Sequence, residues 1–123
     1  FQAIYFDLIL FKLIFLIWLD DVRPIDKKYD SYVRYGTYAD PKSVNAAIYW
    51  ITEAEKWGYK YFILDLDHDL GDYADDGGDG IKLLDWLVQT GRTTSNYQVR
   101  LHTMNVVGRE NMQRTIDRYW ERD

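Results

Sequence analysis

The hydrophobic pattern of the chain alternates between short continuous apolar runs and longer segments with helical spacing. Three runs have the length and residue types of buried strands: "LIFLIWL" at 13–19, "YKYFILDL" at 59–66 and "YQVRLHT" at 97–103. The segments that separate or follow them, "GIKLLDWLVQTG" and "RENMQRTIDRYWERD" among them, carry apolar residues at the spacing of an amphipathic helix. Strands that alternate with helices predict an α/β domain built on a parallel sheet.

The segment between the first two runs predicts one strand and one helix. The stretch "SYVRYGTYA" at 31–39 indicates a short strand and a turn. In "DPKSVNAAIYWITEAEKWG" at 40–58, Asp40 is expected as the N-cap, Pro41 as the first helical residue and Gly58 as the end of the helix. The apolar residues of this helix form a stripe, so we interpret its aromatic residues as core.

The N-terminal stretch "IYFDLILFKLIFLIWL" at 4–19 is almost wholly apolar, but we do not expect it to span a membrane. It is shorter than the roughly 20 residues that a bilayer requires, and it contains Asp7 and Lys12. It also lacks the features of a signal peptide. We predict a break near residues 11–12, a central strand at 13–19, and an added element at 4–10 that covers a sheet edge or pairs with another subunit to form a homodimer. The predicted division is a 1–12 extension and a 13–123 domain.

Composition narrows the classes of function. The chain has 123 residues, which suits one domain with one core. Its formal net charge of -5 argues against a protein that coats duplex DNA. It has no cysteine, so disulfides and cysteine-ligated zinc are excluded, and we take the reducing cytoplasm as the expected location.

Polar residues follow each of the three predicted strands. Asp20 and Asp21 follow the first strand, and Asp67, His68 and Asp69 follow the second. Residues His102 and Asn105 lie at the end of the last strand. Ligands of open parallel sheets bind outside the carboxyl ends of the strands, so these side chains are expected to share one cleft. Such a cluster of carboxylates would attract a cation.

Four motifs, taken in order, resemble the cyclic-phosphate processing Receiver domain family. They are "LDDVRP" at 19–24, "LDHDLG" at 66–71, a glycine before "IKLLDWL" at 81–87, and "VRLHTMNVVGRENM" at 99–112. The resemblance covers about residues 16–116. It implies a three-layer, flavodoxin-like receiver fold with strand order 2-1-3-4 and helices on both faces. It also implies an altered active site that acts on cyclic phosphates in nucleotides or at RNA ends.

Carried over residue by residue, the resemblance assigns the acidic pair, the second polar cluster and the last histidine to Asp20, Asp21, Asp67, His68, Asp69 and His102. Asn105 and Gly108 fall in a segment that in the family usually reads Asn-Pro-x-Gly. Val106 stands where proline is expected, so the loop is less restricted here and the role of Asn105 is less well supported than that of His102.

These residues suit phosphodiester chemistry by two routes. In the first, Asp20, Asp21, Asp67 and Asp69 hold Mg²⁺ or Mn²⁺, which neutralises phosphate and activates water. Asp21 and Asp67 are expected as direct ligands, and Asp20, Asp69 or His102 as those that complete the shell. In the second, His68 and His102 act as general base and acid, and Asp67 belongs to the same catalytic set. Substrate contacts are expected from Asn105 and from Arg23, Arg100 and Arg109, with Arg109 favoured because it is predicted to open the last helix.

Structural explanations exist for several of these residues. Asp20 and Asp21 could cap a turn, and His68 could be a hydrogen-bonded structural histidine. For Asp72, Asp75, Asp76 and Asp79 we favour a solvated glycine-rich loop, because "DDGGDG" lacks the spacing and the closing glutamate of an EF-hand.

Two other functions compete with hydrolysis as interpretations of the sequence. A phosphorylated receiver would need a lysine on a later strand, yet the last lysine is Lys82 and only one helix is predicted after "VRLHT". A module that binds and sequesters a cyclic nucleotide without cleaving it fits the sequence as well as a hydrolase does. We predict metal-dependent hydrolysis of a cyclic nucleotide or a cyclic-phosphate RNA end by a cyclic phosphodiesterase, with sequestration as the alternative.

Overall fold

Four parallel strands form a single sheet in the computed structural model, which describes residues 13–122. The strands are β1 (Ile14–Leu19), β2 (Tyr38–Ala39), β3 (Tyr61–Leu66) and β4 (Tyr97–Leu101). Their order is β2-β1-β3-β4, and every neighbouring pair is parallel. The predicted strand order and the predicted receiver-like α/β class are therefore confirmed.

The register of the sheet brings three strand ends level with one another. Leu19 of β1 pairs with Leu66 of β3, and Leu66 pairs with Leu101 of β4. The residues that follow, numbers 20, 67 and 102, consequently emerge side by side. This levelling places the polar strand ends at one edge.

Within residues 13–122, four α-helices connect or follow the strands: α1 (Asp30–Tyr35), α2 (Val44–Lys56), α3 (Gly80–Gln89) and α4 (Val106–Tyr119). Short 3-10 helices occupy Lys27–Tyr29 and Gly71–Asp75. The larger core joins one face of the sheet to α2, α3 and α4 through buried residues such as Leu64, Ile51 and Leu84. Burial of these aliphatic side chains is the main term that stabilises the layer packing.

The opposite face of the sheet carries a smaller core. Leu16, Trp18 and Ile63 pack there against Tyr29 of the first 3-10 helix. Tyr32 of α1 covers the same cluster from its side. Helices thus lie on both faces, but the second face is covered mainly by short elements.

The segment at 31–39 differs from the prediction. Residues Asp30–Tyr35 form α1, and the strand β2 is limited to Tyr38–Ala39. Gly36 has a left-handed backbone with φ of 69°, which ends the helix in the manner of a glycine C-cap. The tyrosines and the valine of "SYVRY" favour strands intrinsically, but packing of the helix on the sheet outweighs that local preference.

Two helix starts also differ from the prediction. The N-cap of α2 is Ser43 rather than Asp40, because the Ser43 hydroxyl accepts the backbone N–H of Ala46. The last helix begins at Val106, so Arg109 lies about one turn inside it and does not open it.

The predicted element at 4–10 and the whole of the 1–12 extension lie outside the described residues. Within residues 13–122, none of the helices is both long and apolar enough to cross a membrane.

Candidate functional site

The candidate site lies where β1, β3 and β4 end. Asp20, Asp67 and His102 each offer one ligand atom there, and these atoms all lie within 4.8 Å of one another. Asp20 is 3% exposed, whereas Asp67 and His102 are partly buried. Three of the strand-end residues that the sequence singled out, Asp20, Asp67 and His102, therefore meet.

The imidazole of His102 lies between two carboxylates. Its Nε2 is 2.9 Å from Oδ2 of Asp20, and its Nδ1 is 2.7 Å from Oδ1 of Asp65. Asp65 belongs to β3 and is 1% exposed. Ionised carboxylate oxygens only accept hydrogen bonds, so the arrangement suits the protonated ring, in which both nitrogens donate.

The pKa shifts of this pair agree with that charge distribution. Burial alone would lower the pKa of His102, but the hydrogen bonds to Asp65 and Asp20 outweigh it and raise the pKa. Burial alone would raise the pKa of Asp65, but the hydrogen bonds from His102 and Tyr29 outweigh it and lower the pKa. Both shifts describe one coupled pair, a carboxylate and an imidazolium that stabilise each other.

Aromatic side chains enclose the imidazole and its buried carboxylate. The indole of Trp18 stacks on the His102 ring with a centroid distance of 3.9 Å and an interplanar angle of 3°. Tyr29 donates its hydroxyl to Oδ2 of Asp65 at 2.5 Å, and Arg100 Nη1 donates to the same hydroxyl oxygen at 3.1 Å. Burial and the bond to Asp65 raise the pKa of Tyr29 to about 12, so its hydroxyl remains a donor.

The loop after β1 is attached to the loop after β4. Oδ1 of Asp20 accepts the backbone N–H groups of Val22 and Arg23 at 2.9 Å and 2.8 Å. The guanidinium of Arg23 reaches the carbonyl oxygen of His102 at 3.2 Å, while the indole N–H of Trp18 donates to the carbonyl of Arg23. Asp20 therefore caps a turn and pairs with the site histidine at once.

Asp67 has fewer partners than Asp20. Its Oδ1 accepts the backbone N–H of His68 at 2.8 Å, and the hydroxyl of Thr103 also bonds to the carboxylate. Burial raises the pKa of Asp67, the Thr103 and His68 bonds oppose this, and the charge of Asp20 raises it again, so the net shift is upward. A carboxylate with a raised pKa is a stronger proton acceptor than an exposed aspartate.

His68, Asp69 and Asp79 form a second group beside the first. Nδ1 of His68 lies 2.8 Å from Oδ1 of Asp69, and the side-chain amide of Asn105 donates to both oxygens of Asp69 at 3.2 Å. Oδ1 of Asn105 meanwhile caps α4 by accepting the N–H of Gly108. The two histidines of the chain therefore have different carboxylate partners.

Asp21 and Arg109 are the remaining predicted residues. A side-chain oxygen of Asp21 lies near Gly71, where an added Cβ would stand 2.7 Å from it. Asp21 belongs to neither of the two groups of candidate ligands among the described residues. The exposed guanidinium of Arg109 contacts the carbonyl oxygen of Leu101 at 3.4 Å, which keeps it at the end of β4.

The donor set of the first group fits a divalent cation in number but not in availability. Three ligand atoms converge, yet Oδ2 of Asp20 and Nε2 of His102 are already bonded to each other. A cation at this point would compete with the imidazolium for Asp20. Oxygen ligands from Asp20 and Asp67, completed by water, are the combination that suits Mg²⁺ or Mn²⁺.

The sequence interpretation missed Asp65, Trp18 and Tyr29 as parts of the site. One signal was present: Asp65 interrupts an apolar run in a strand that is buried on both faces, where an unpaired charge is costly. Trp18 and Tyr29 gave no such signal, because aromatic residues are ordinary members of a core.

Fold and site together define a receiver-like α/β domain with an acidic cleft in which a histidine ends the last strand. A family model described as the cyclic-phosphate processing Receiver domain matches residues 15–118. The chain therefore belongs to that family, whose description links it to cyclic-phosphate processing. Comparisons with curated proteins and with solved structures found no match.

Proposed function

We propose that the chain hydrolyses a cyclic phosphate, carried by a small cyclic nucleotide or an RNA end, at the cleft formed by Asp20, Asp67 and His102. One observation carries the proposal: the imidazole of His102 is hydrogen-bonded to two carboxylates and lies close to a third at the strand ends of a cyclic-phosphate processing Receiver domain. The protonated imidazole can donate a proton to the leaving oxygen, and the nearby Asp67 can accept one from water.

The reaction balances with these two residues. Water attacks the phosphorus, and Asp67 takes the proton that the water loses. One P–O bond of the ring breaks, and the oxygen that leaves receives the proton of His102 Nε2, so that a phosphate monoester forms. Proton exchange with solvent then returns Asp67 and His102 to their starting states. The raised pKa of Asp67 favours acceptance of the proton from water, and the raised pKa of His102 favours the protonated imidazole that the donation step starts from.

The arginines and the amide at the rim are the proposed substrate contacts. Arg23 and Arg109 are exposed, and each contacts a carbonyl oxygen at the end of β4, His102 for the first and Leu101 for the second. Guanidinium groups bind phosphate oxygens through paired N–H donors, so both could move onto a substrate at small cost. Asn105 is the weaker candidate, because both ends of its amide are already bonded.

A divalent cation, Mg²⁺ or Mn²⁺, is the proposed cofactor, with Asp20 and Asp67 as its ligands. Asp21 and Asp69 are the adjacent carboxylates that could join them. When bound, the cation would neutralise phosphate charge and lower the pKa of water. If the proposal is right, millimolar Mg²⁺ or Mn²⁺ raises the melting temperature of the wild type but not that of Asp67→Asn. An equal response of the two proteins would contradict it.

The activity is tested with purified protein, 2',3'-cyclic AMP and 3',5'-cyclic AMP, with and without Mg²⁺, by following release of the monoester. We expect His102→Ala to lower kcat by about 10²- to 10⁴-fold and to leave KM nearly unchanged. Arg109→Ala should act mainly on KM. Arg118→Ala is the matched control, because Arg118 is an exposed arginine near the other end of the same helix.

One observation favours the alternative of a sequestering module. Both ring nitrogens of His102 already have carboxylate partners, so proton transfer requires the ring to give up one of them. A wild type that binds a cyclic nucleotide tightly but returns it intact after long incubation with metal would replace hydrolysis by binding. A wild type that neither binds nor alters any cyclic phosphate contradicts both functions.

A further inference from the structure

We propose that Asp65 is the positioning residue of this site: its carboxylate fixes the His102 ring so that Nε2 points to Asp20 and the cleft. The inference rests on the proposed function for its kinetic consequence, although the geometry stands without it. Asp65 itself does not reach the expected substrate position, because its two oxygens face the histidine and the tyrosine. It would act only through His102.

The backbone holds Asp65 firmly. It lies in β3, one of the two inner strands of the described sheet, with Trp18 of β1 and Arg100 of β4 as its register partners. Its side chain is surrounded by protein atoms, because Asp65 is only 1% exposed, so its rotation is restricted. A group intended to orient another is most effective on such a rigid element.

Hydrogen bonds then fix the carboxylate plane. Oδ1 accepts from His102 Nδ1 at 2.7 Å, and Oδ2 accepts from the Tyr29 hydroxyl at 2.5 Å. Arg100 in turn donates to the tyrosine oxygen, so this donor is oriented as well. With both oxygens occupied on different sides, the carboxylate has one orientation.

The ring transmits that orientation to the cleft. The two nitrogens of an imidazole have a fixed relative direction, so a bond at Nδ1 determines where Nε2 points. The stacked indole of Trp18 holds the ring in plane at 3.9 Å. The same principle, in which the bond at one nitrogen sets the role of the other, applies to histidines in many reactive sites.

The cost of burying the Asp65 carboxylate indicates that this residue has a role other than packing. A carboxylate in a buried strand requires a hydrogen-bonded partner, whereas an apolar residue at the same position would carry no comparable desolvation cost. Asp65 sits among apolar strand residues such as Leu64 and Leu66. The buried carboxylate is explained if its role is to orient the histidine at the strand end.

The kinetic test uses Asp65→Asn, which keeps the shape of the side chain and removes its charge. We expect kcat on the cyclic AMP isomer that the wild type processes to fall about 10- to 100-fold, with KM within about threefold. Tyr29→Phe, which removes one of the two bonds that hold Asp65, should give a smaller loss of kcat. Glu55→Gln is the matched control: Glu55 also accepts a tyrosine hydroxyl at 2.5 Å, but its hydrogen-bond partners are Tyr97 and Arg92, which are not part of the site.

The spectroscopic test is independent of turnover. Nitrogen-15 NMR of labelled histidine should show protons on both ring nitrogens of His102 in the wild type and in Glu55→Gln. In Asp65→Asn the Nδ1–H signal should shift or be lost. A residue that only supports the fold would not change the state of one particular nitrogen while the protein stays folded.

The outcomes separate this inference from the proposed function. If wild type processes no cyclic phosphate, the function fails, and the NMR arm alone decides whether Asp65 orients His102. If Asp65→Asn is folded and keeps both the wild-type kcat and the wild-type Nδ1–H signal, the inference is overturned. If Asp65→Asn does not fold, Tyr29→Phe decides the question: an unchanged kcat and an unchanged Nδ1–H signal in that variant overturn the inference.

Discussion

Two hydrogen-bond networks in different parts of the molecule are each built from an acidic residue, a tyrosine and a basic residue. In the site, Asp65 accepts the hydroxyl of Tyr29 at 2.5 Å and pairs with His102. Where β4 begins, Glu55 accepts the hydroxyl of Tyr97 at 2.5 Å and pairs with Arg92 through two bonds of 2.9 Å and 2.8 Å. Each network joins a carboxylate, a tyrosine and a cation.

The two networks differ in the type of basic residue and in the exposure of the carboxylate. The guanidinium of Arg92 remains charged at any ordinary pH and stacks on Trp86, and its hydrogen bonds are the largest cause of the lowered pKa of Glu55. The side chains of Arg92 and Glu55 are 22% and 24% exposed, whereas that of Asp65 is 1% exposed. The Glu55 network is a partly exposed ion pair whose arginine stays charged, whereas the Asp65 network contains a histidine that can titrate in a more buried position.

The largest expected effect is the loss of the site cation. His102→Ala leaves Asp20 and Asp65 buried without a positive partner, which should lower the free energy of unfolding at pH 7 by about 3–5 kcal/mol. Arg92→Ala leaves only the partly exposed Glu55, with a loss of about 1 kcal/mol. Urea unfolding of the two variants with a chelator present measures both. Equal losses would mean that the two networks do not differ as described.

Steric fit gives the next largest effect. A Cβ on Gly80 would lie 1.9 Å from the carbonyl oxygen of Asp67, so Gly80→Ala must displace the backbone of the loop that follows β3. We expect a loss of about 1–3 kcal/mol, with a changed His102 environment in NMR. Gly91→Ala meets no atom within 4 Å and is strained only by its φ of 74°, about 1 kcal/mol. The prediction fails if Gly80→Ala is the milder substitution.

The pH dependence of stability should separate the two cations. The raised pKa of His102 gives stability that is complete below its ordinary pKa and is lost as pH rises through the folded-state value. The lowered pKa of Asp65 gives stability that is complete above the ordinary pKa of an aspartate and is lost as pH falls through the folded-state value. The difference between wild type and His102→Ala should therefore be largest near pH 5–6 and shrink toward pH 9.

Arg92→Ala provides the control for this profile. Arginine does not lose its proton in this range, and the lowered pKa of Glu55 keeps the carboxylate charged. The difference between wild type and Arg92→Ala should stay level from pH 5 to pH 9. A parallel decline in both differences would show that the titrating group lies elsewhere.

The smallest expected effect is a gain in stability. Burial and the charge of Asp20 both raise the pKa of Asp67, so its ionised form is unfavourable in the folded protein without metal. Asp67→Asn should raise the free energy of unfolding at pH 7 by no more than about 1 kcal/mol. Asp69→Asn is the matched control and should give no gain, because His68 lowers the pKa of Asp69. A loss of stability in Asp67→Asn would indicate that its bond to Thr103 dominates.

Much of the fold could be predicted from residue patterns. The apolar runs located β1, β3 and β4, and the helical stripe located α2. The segment at 31–39 could not be assigned correctly, because its strand-forming residues lie in a short helix whose stability comes from the packing of Tyr32 on the sheet. Local preference spans about 1 kcal/mol, which a tertiary contact readily exceeds.

For the site, the sequence by itself determined which residues stand at the strand ends, because parallel strands of one sheet finish at the same edge. Asp20, Asp67 and His102 could be grouped on that ground alone. Only the tertiary structure decided that His102 pairs with Asp65 from inside β3, under Trp18. The physical reason is that these contacts depend on strand register and ring orientation, which set distances across the sheet and leave no periodic trace along the chain.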